Sequence, residues 1–447
     1  MITLEILKKK VYYSLANGQA SYNPHYIERI DHLSNGGLPV VSDNTYPSLT
    51  ICLQSSNQCN LKCEYCFSKL KEKELIEFKN FIPYLNYILN HNQNKNRFYI
   101  DLSGEREPLL NLLFIKDAVQ YADEMSEKLR KEVLVTFVTN GVLLTKKVSA
   151  LLKSKGVLFG ISLDGPKEVH NKNRPLKNGK PSYDIILKNI LEIEDKTFLG
   201  CALTIGKERF CLVETIEDLC QYFPTVSIKP ARLDTSSSFT FEDIEYWKKE
   251  YERLTQILVQ NALSGDLKLL LAILNGDDYF GKFINRVFLN YVAYNRCDAG
   301  LGRIYITQDG IISHCVPLSV YNKYRFDNLE QYFKENGKSF FLQQLINPNC
   351  FHCTLKKLCG GECAVEKENH IANNSVLCEL KKHLILLAIY LREELKENEE
   401  IFNRVYEFCN MKMSRNKMNP NFKAILDTHP QKSFAECKKI FYSKFSV

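Results

Sequence analysis

The stretch SLTICLQSSNQCNLKCEYCF, residues 48–67, decides how this chain folds. Its first half is apolar and β-branched, which predicts a short buried strand. Cys59, Cys63 and Cys66 follow at once, on a loop before a helical stretch that begins near Glu72. Three thiolates at this spacing bind three irons of a four-iron cluster and leave the fourth iron open to a small ligand. A strand that ends in a ligand loop is where barrel enzymes build their sites.

The cysteine motif resembles that of the radical SAM enzymes, a C-x3-C-x2-C run with an aromatic residue before the third cysteine, here Tyr65. The resemblance implies that S-adenosylmethionine (SAM) binds the open iron through its amine and carboxylate. It also implies reductive cleavage of SAM to a 5′-deoxyadenosyl radical, which abstracts a hydrogen atom from the substrate. Taken without its context, the motif also fits a zinc site or plain buried thiols.

Seven further cysteines form a second pattern in the carboxy-terminal half. The spacing is Cys297-x12-Gly310-x4-Cys315, then Cys350-x2-Cys353-x5-Cys359-x3-Cys363, then Cys378. This pattern is similar to the SPASM domain that follows some radical SAM cores, and it implies two auxiliary four-iron clusters. By this resemblance the distal cluster is bound by Cys350, Cys353, Cys359 and Cys378. The nearer cluster is bound by Cys297, Cys315 and Cys363.

The same region has an interpretation that is independent of the family. Residues 304–307 and 311–314 flank the turn Gln308-Asp309-Gly310, which predicts a β-hairpin with Cys297 and Cys315 near its two ends. A zinc ribbon built from the close cysteine pairs is the alternative. Because zinc takes four ligands and the region offers seven thiols, two clusters suit the count better.

A repeated strand-then-helix rhythm begins after residue 47. The predicted strands are 48–56, 97–103, 133–139, 157–163, 197–205 and 225–231, and helical periodicity is clear in 110–128 and 183–193. Six such units predict an α/β fold, a parallel sheet with outer helices curled as a partial (β/α)6 barrel, followed by the SPASM domain. The strand ends then carry the polar chemistry.

The predicted second strand ends in Ser103-Gly104-Glu105-Arg106-Glu107-Pro108. This run resembles the glycine-rich radical SAM motif that meets the methionine amino group of SAM, which implies SAM contacts for Gly104 and Glu107. Arg106 stands where the family usually has a second glycine.

The third predicted strand ends in Thr139-Asn140-Gly141, and the fourth in Ser162-Leu163-Asp164-Gly165-Pro166. Both resemble segments of SPASM-type enzymes, in which the serine and an arginine twelve residues later approach the ribose and carboxylate of SAM. The resemblance implies these roles for Ser162 and Arg174. From the residues alone, Asp164-Gly165-Pro166 predicts a turn and Arg174 a solvated charge.

Five segments follow from these patterns. They are an amino-terminal segment 1–46, the partial barrel 47–234, a helical bridging region 235–296, the SPASM domain 297–380, and a helix and tail 381–447. The bridging region shows two helical stretches, 241–261 and 281–292, joined by a loop around Gly276 and Asp277. One long helix is predicted over about 379–411, and the last thirty or so residues fit either a tail or a small helical cap.

Composition excludes several classes of protein. The chain has 447 residues, 16 cysteines and a formal charge of +7. Three clusters with ten thiolates lower that charge to about +3, and the basic residues are scattered, so we expect no nucleic-acid partner. No secretory signal and no apolar run near 18 residues is present, which predicts a cytoplasmic protein without a membrane partner. Abundant cysteine in a large intracellular chain indicates metal binding rather than disulfides.

Six cysteines fit no ligand spacing and are expected to be buried thiols: Cys52, Cys201, Cys211, Cys220, Cys409 and Cys437. His314 and His352 adjoin cluster cysteines, and packing or solvent contact is the expectation for both. The nearer cluster lacks an obvious fourth ligand. A substrate thiolate, Cys52 or a histidine is the candidate for that position.

The family resemblance covers about residues 47–380 and implies a peptide maturase that forms a thioether or another crosslink in a ribosomally made peptide. A sulfatase maturase, which makes formylglycine, is the alternative within the family. That class has an aspartate directly after the equivalent of Cys315 and a cysteine six residues before that of Cys297. This chain has Val316 and Tyr291 there, which favours the crosslinking function.

An iron–sulfur electron-transfer or binding protein is the alternative from another class. An electron carrier has every iron ligated, whereas the first three cysteines leave one iron free. The radical SAM resemblance implies a peptide or protein substrate and a reductant such as flavodoxin or ferredoxin. The 46 residues before the first strand are too few for a winged-helix domain that grips a leader peptide. Leader recognition is therefore expected from a separate protein, from the tail beyond 380, or not at all.

Overall fold

The structure, a computed structural model, describes residues 2–14, 19–25, 46–66, 68, 75–231, 239–276, 278–293, 295–336, 340, 350, 352–368, 374–414, 425–434, 436–437 and 440. The strands are β1 Ile2–Ile6, β2 Lys9–Tyr13, β3 Ala20–Ser21, β4 Ser48–Leu53, β5 Arg97–Asp101, β6 Glu132–Thr139, β7 Leu158–Ser162, β8 Gly200–Ile205, β9 Thr225–Pro230, β10 Arg303–Ile306 and β11 Ile312–Ser313. The predicted helix start near Glu72 lies outside the described residues.

The helices cover the sheet and build the carboxy-terminal half. They are α1 Ile82–His91, α2 Leu112–Leu129, α3 Lys146–Ser154, α4 Lys167–Asn173, α5 Tyr183–Leu191, α6 Leu212–Leu219, α7 Phe241–Leu263, α8 Lys268–Asn275, α9 Tyr279–Phe288, α10 Leu329–Gln331, α11 Lys356–Cys359, α12 Ala364–Glu368, α13 Asn374–Leu395 and α14 Glu399–Ser414. Short 3-10 turns include Phe78–Phe81, Pro108–Leu110 and Val316–Val320.

An eight-stranded sheet in the order β11-β10-β4-β5-β6-β7-β8-β9 forms the centre of the fold. Strands β4 to β9 are the six predicted strands, and each is parallel to its neighbour. The α/β fold with a parallel-dominated sheet is thus confirmed. Alternate residues of β8, Cys201, Leu203 and Ile205, are buried, as expected for strands with one face under helices.

The predicted hairpin is confirmed, and it pairs with a strand that the sequence did not predict as its partner. Strand β10 pairs antiparallel with β11 around Gly310, whose φ of +78° suits glycine. It also pairs in parallel with β4, with Arg303 opposite Thr50 and Ile306 opposite Leu53. The hairpin therefore extends the central sheet. Its turn lies at the carboxyl edge, where Asn57 Nδ2 donates to Gln308 Oε1 at 3.3 Å, while Cys297 lies at the amino end of β4, where its carbonyl accepts from the Tyr46 hydroxyl.

The bridging region contains one more helix than predicted. Helices α7 and α9 correspond to the two predicted stretches, but α8 lies between them and ends at Asn275. Gly276 follows it, and Asp277 lies outside the described residues. The run that forms α8 has only eight residues, which is too short for helical periodicity to be read from sequence. Helix α9 ends at Phe288 because Asn290 takes a left-handed φ of +48°.

The single long helix predicted over 379–411 is wrong. Two helices, α13 and α14, occupy this stretch, and Asn398 separates them by accepting a 3.2 Å hydrogen bond from Ile401 N. A capping asparagine begins a new helix because its side chain satisfies a backbone N–H that has no helical partner. Leu384, Ile385 and Leu387 of α13 are buried, which confirms that this run is packed core.

Both ends of the described chain pack on the body of the protein. Strands β1, β2 and β3 form an antiparallel sheet against α13, where Tyr22 N donates to Glu393 Oε2 at 3.1 Å. Residues 425–428 are helical, and Arg130 Nη2 donates to Leu426 O at 3.2 Å, which favours the helical-cap prediction for this part. Across the described residues, every helix is too short or too polar to cross a bilayer.

Candidate functional site

The first cysteine loop leaves the carboxyl end of β4. In a parallel sheet this edge also carries the ends of β5 to β9. Cys59 and Cys63 are half-buried and Cys66 is exposed. Burial raises the pKa of the Cys63 thiol to about 12, Arg174 opposes this rise, and the thiols of Cys59 and Cys66 add to it. These mutual effects show that the structure brings the three predicted thiols together.

A second segment holds this loop in an extended shape. Residues 173–177, here called the strap, pair with residues 60–64 through a bridge between Leu61 and Leu176. The main-chain hydrogen bonds are Lys62 N to Pro175 O at 2.9 Å, Glu64 N to Asn173 O at 3.0 Å, and Lys177 N to Asn60 O at 3.0 Å. Hydrogen bonds within the protein therefore fix the geometry of the cysteine loop without any ligand.

Asp164 joins the strap to the loop and to the sheet. Its carboxylate is fully buried; Oδ2 accepts from Arg174 Nε at 2.8 Å and from the Tyr65 hydroxyl, and Oδ1 accepts from Thr204 N at 2.9 Å. The Arg174 guanidinium lies 5.2 Å from the centroid of the Tyr65 ring. Arg174 is thus not a solvated charge, and Asp164 does more than form a turn.

Glu107 connects the ends of β5 and β6, two neighbouring strands of the parallel sheet. Oε1 accepts from Thr139 Oγ1 at 2.6 Å and from Leu109 N at 3.0 Å, while Oε2 accepts from Asn140 N at 2.8 Å. Burial raises the pKa of this carboxyl, and these hydrogen bonds oppose the rise. Both oxygens of Glu107 are therefore engaged within the protein.

The backbone before Glu107 explains the glycine pattern. A Cβ on Gly104 would lie 2.5 Å from Leu53 O and 3.0 Å from Tyr305 Cε2, so only glycine lets the turn approach β4 this closely. Arg106 has a φ of +66°, in the left-handed region that favours glycine. This chain therefore keeps a glycine-like backbone at Arg106 with a different side chain.

Asn140 and Ser162 lie at the same carboxyl edge of the parallel sheet. Asn140 Nδ2 lies 3.8 Å from Cys59 Sγ and donates to Asn60 Oδ1 at 2.6 Å. Ser162 ends β7, is half-buried, and its hydroxyl makes no hydrogen bond within the described part of the chain. The end of β6 thus contacts the cysteine loop directly. The end of β7 presents a hydroxyl that has no hydrogen bond within the described residues.

The structure also brings the nearer set of carboxy-terminal cysteines together. Burial raises the pKa of the Cys315 thiol, and the thiols of Cys363 and Cys297 raise it further. Cys315 ends the hairpin, and Cys363 directly precedes α12.

The distal set gathers around the start of α13. Burial raises the pKa of Cys378 to about 11, Lys381 opposes the rise, and Cys359 and Cys350 contribute to it. Burial likewise raises the pKa of Cys350, with Cys359 and Cys353 among the neighbouring thiols. Each predicted set thus forms a group of neighbouring thiols.

The spacing between the thiols indicates whether each group suits a single metal ion or a four-iron cluster. In the described ranges, no three His, Cys, Asp or Glu side chains converge closely enough to bind one metal ion. A four-iron cluster takes one thiolate on each iron, so its cysteines must be neighbours without meeting at one point. Soft thiolates are also the donors that such clusters prefer. The donor sets fit iron–sulfur clusters.

Other predicted residues lie as follows. Tyr291 is exposed, and Val316 begins a 3-10 turn directly after Cys315. Cys52 is buried with Arg303 Nη1 3.2 Å from its Sγ and Asp101 Oδ2 at 3.7 Å, so these two side chains are its described hydrogen-bond partners. Among the six extra cysteines, five are buried as expected and Cys211 is half-buried.

The two histidines beside cysteines differ. His314 is buried, stacks on Phe340 with ring centroids 3.9 Å apart, and shares a 3.0 Å hydrogen bond with the Tyr332 hydroxyl. Burial lowers its pKa to about 3, so it is a neutral core side chain as predicted. His352 is exposed.

Part of the chain matches a known family. Residues 53–206 match the profile of the Radical SAM superfamily. Residues 53–206 are therefore a radical SAM domain. An uncharacterized protein of Methanocaldococcus jannaschii is 33% identical to this radical SAM enzyme over 45% of the chain, and the match spans 64% of that relative's own length. The radical SAM cyclopropyl synthase TigE of Paramaledivibacter caminithermalis is 26% identical over 84% of the chain and 79% of the synthase.

A solved structure shares the fold of this radical SAM enzyme. Native anSMEcpe with bound AdoMet and the Cp18Cys peptide superposes with a TM-score of 0.63 at 18% identity, over 80% of this chain and 100% of the other. The superfamily implies a four-iron cluster and SAM. The matched residues 53–206 include the first cysteine loop, the strap and the ends of β5 to β7.

Sequence reasoning missed three side chains of the site. Glu105 accepts from the Tyr305 hydroxyl at 3.1 Å and from Ser68 Oγ at 2.9 Å, which links the hairpin to the cysteine loop. Asp164 and Thr204 support the strap. The one available signal was that Asp164 and Glu105 each lie at a predicted strand end, where polar side chains of a barrel enzyme meet.

Proposed function

We propose that this radical SAM enzyme carries three four-iron clusters and modifies a side chain of a ribosomally made peptide, forming a thioether or another crosslink. The observation that carries the proposal is the gathering of ten cysteines, distant in sequence, into three groups of neighbouring thiols. The carboxy-terminal groups correspond to a SPASM domain, with Cys297, Cys315 and Cys363 for the nearer cluster. Cys350, Cys353, Cys359 and Cys378 serve the distal cluster.

At the first site, Cys59, Cys63 and Cys66 hold a cluster with one open iron. When bound there, the cluster and SAM supply a 5′-deoxyadenosyl radical for hydrogen abstraction. The chain's own part is to fix the loop: the strap sets its backbone, and Arg174 places a positive charge near Cys63, which favours the thiolate. The loop is consequently preorganised for cluster binding.

The SAM contacts are proposed for Tyr65, Gly104, Glu107, Ser162 and Arg174. The half-buried Ser162 hydroxyl, unpaired within the described residues, is the donor proposed for the ribose. Gly104 lets the main chain approach closely. Glu107 orders the Thr139–Asn140 turn around the Cys59 side of the site, in addition to any contact with the amino group.

A peptide substrate is favoured by the solved relative, which holds a peptide together with AdoMet in the same fold. Crosslinking is favoured over formylglycine formation by two side chains. Val316 offers no carboxylate after Cys315, and Tyr291 offers no thiol to the nearer cluster. An external reductant such as flavodoxin or ferredoxin is proposed for the electrons, and a separate leader-recognition protein remains part of this proposal.

The test uses the anaerobically reconstituted full chain with dithionite, SAM and short cysteine-containing peptides encoded beside its gene. We expect 5′-deoxyadenosine and methionine from SAM, and a peptide that has lost two hydrogen atoms per crosslink. Conversion of a peptide thiol to an aldehyde would instead establish the sulfatase-maturase activity. A Cys59, Cys63 and Cys66 to alanine triple variant should form no 5′-deoxyadenosine, and formation at the wild-type rate would refute the assignment.

A further inference from the structure

Tyr13 carries a buried hydroxyl without a partner. Its side chain is fully buried, and within the described part of the chain the hydroxyl makes no hydrogen bond. Buried polar groups are nearly always paired, so this hydroxyl points to a partner other than the described side chains. Phenylalanine would fill the same space without this cost, which makes the hydroxyl itself informative.

The position of Tyr13 identifies that partner. It ends β2 opposite Ala20, in the sheet that packs on α13, the helix carrying Cys378. Ala20 and Leu358, the neighbour of Cys359, line the same small cleft. Burial raises the pKa of the Tyr13 phenol, and the thiols of Cys353 and Cys359 raise it further, so these thiols are its charged neighbours. The hydroxyl thus lies on the side of the distal set that carries Cys353 and Cys359.

We propose that Tyr13 Oη donates a hydrogen bond to a sulfur of the distal four-iron cluster and thereby raises the reduction potential of that cluster. The inference rests on the proposed function, because it requires the distal set to hold a cluster. A hydrogen bond to cluster sulfur stabilises the added electron, since it offsets the extra negative charge of the reduced state. Tyr13 would act on electron transfer only through the potential of the distal cluster. The amino-terminal sheet would thereby influence the redox chemistry.

The test is the Tyr13→Phe variant of the full, cluster-loaded chain, with Tyr12→Phe as control. Tyr12 precedes Tyr13 on the same strand, faces the other side and is only half-buried. Spectroelectrochemical titration should show a more negative midpoint for the distal cluster in Tyr13→Phe alone. The other two clusters should keep their midpoints in both variants. An unchanged distal midpoint in Tyr13→Phe would overturn the inference while leaving the three clusters intact.

A spectroscopic readout independent of turnover makes the same distinction. The reduced distal cluster should show an exchangeable proton coupling by pulsed EPR, which D2O removes. The coupling should persist in Tyr12→Phe and disappear in Tyr13→Phe. Persistence in Tyr13→Phe would contradict the hydrogen bond. If the wild-type chain shows no distal cluster at all, the proposed function fails and takes this inference with it.

Discussion

Arg174 Nε donates a 2.8 Å hydrogen bond to Asp164 Oδ2, with the Asp164 side chain fully buried and that of Arg174 10% exposed. The same carboxylate holds the Tyr65 hydroxyl and Thr204 N. This buried ion pair therefore connects the first cysteine loop to the ends of β7 and β8. The shape of the loop depends on charges in the sheet as well as on the thiols.

Removing the carboxylate should destabilise the protein strongly. Asp164→Ala leaves Arg174 buried without its partner, for which we expect a loss of about 3–5 kcal/mol in the free energy of unfolding. Denaturant unfolding of the reconstituted enzyme measures this. Lys167→Met is the matched control, because it breaks the exposed pair of Lys167 with Asp184 and should cost less than about 1 kcal/mol. Equal losses in the two variants would show that the buried pair is not structural.

Gly104→Ala should disturb the turn beside β4. The added methyl would meet Leu53 O at 2.5 Å, and backbone on backbone cannot yield cheaply, so a loss of about 1–3 kcal/mol is expected. Gly206→Ala is the control, since nothing lies within 4 Å of its added Cβ. Thermal unfolding and SAM affinity by isothermal titration are the measurements. A Gly104→Ala protein as stable as Gly206→Ala, with unchanged SAM affinity, would contradict the close approach.

The nearer auxiliary cluster should bind substrate. In the proposed nearer cluster, Cys297, Cys315 and Cys363 would supply three thiolates, while Cys52 has Arg303 and Asp101 as neighbours. A soft open iron binds a peptide thiolate and lowers the pKa of that thiol. Addition of a cysteine-containing peptide should therefore change the EPR spectrum of this cluster, and the Cys→Ser peptide should not. A fourth protein ligand that stays bound with and without peptide would refute substrate ligation.

Elements of the fold that have a recognisable local sequence pattern were predictable. The six parallel strands each have an apolar run bounded by turn residues, and the hairpin has its Gly310 turn, so both were predictable. Pairing of β10 with β4 was not, because it joins residues about 250 positions apart and no local pattern encodes such a contact. Helix α8 escaped detection because its run of eight residues is too short to show a clear helical period.

In the candidate site, too, some residues were predictable from the sequence and others were not. The proximity of the thiols within each set was predictable from the spacing of the cysteines, and their role as cluster ligands stays a prediction. The supporting residues were not, since Asp164 and Glu105 act through partners on distant strands, Thr204 and Tyr305. Arg106 is a case where the family's glycine was absent from the sequence and yet its backbone geometry was retained.

Iron analysis tests most directly whether the three groups of cysteines hold three four-iron clusters. The anaerobically reconstituted chain should contain about twelve irons and negligible zinc. Alanine variants of the first, nearer and distal sets should each lose about four irons and keep the other eight or so. One or two zinc ions with only about four irons would contradict the account, because the carboxy-terminal cysteines would then form a zinc module.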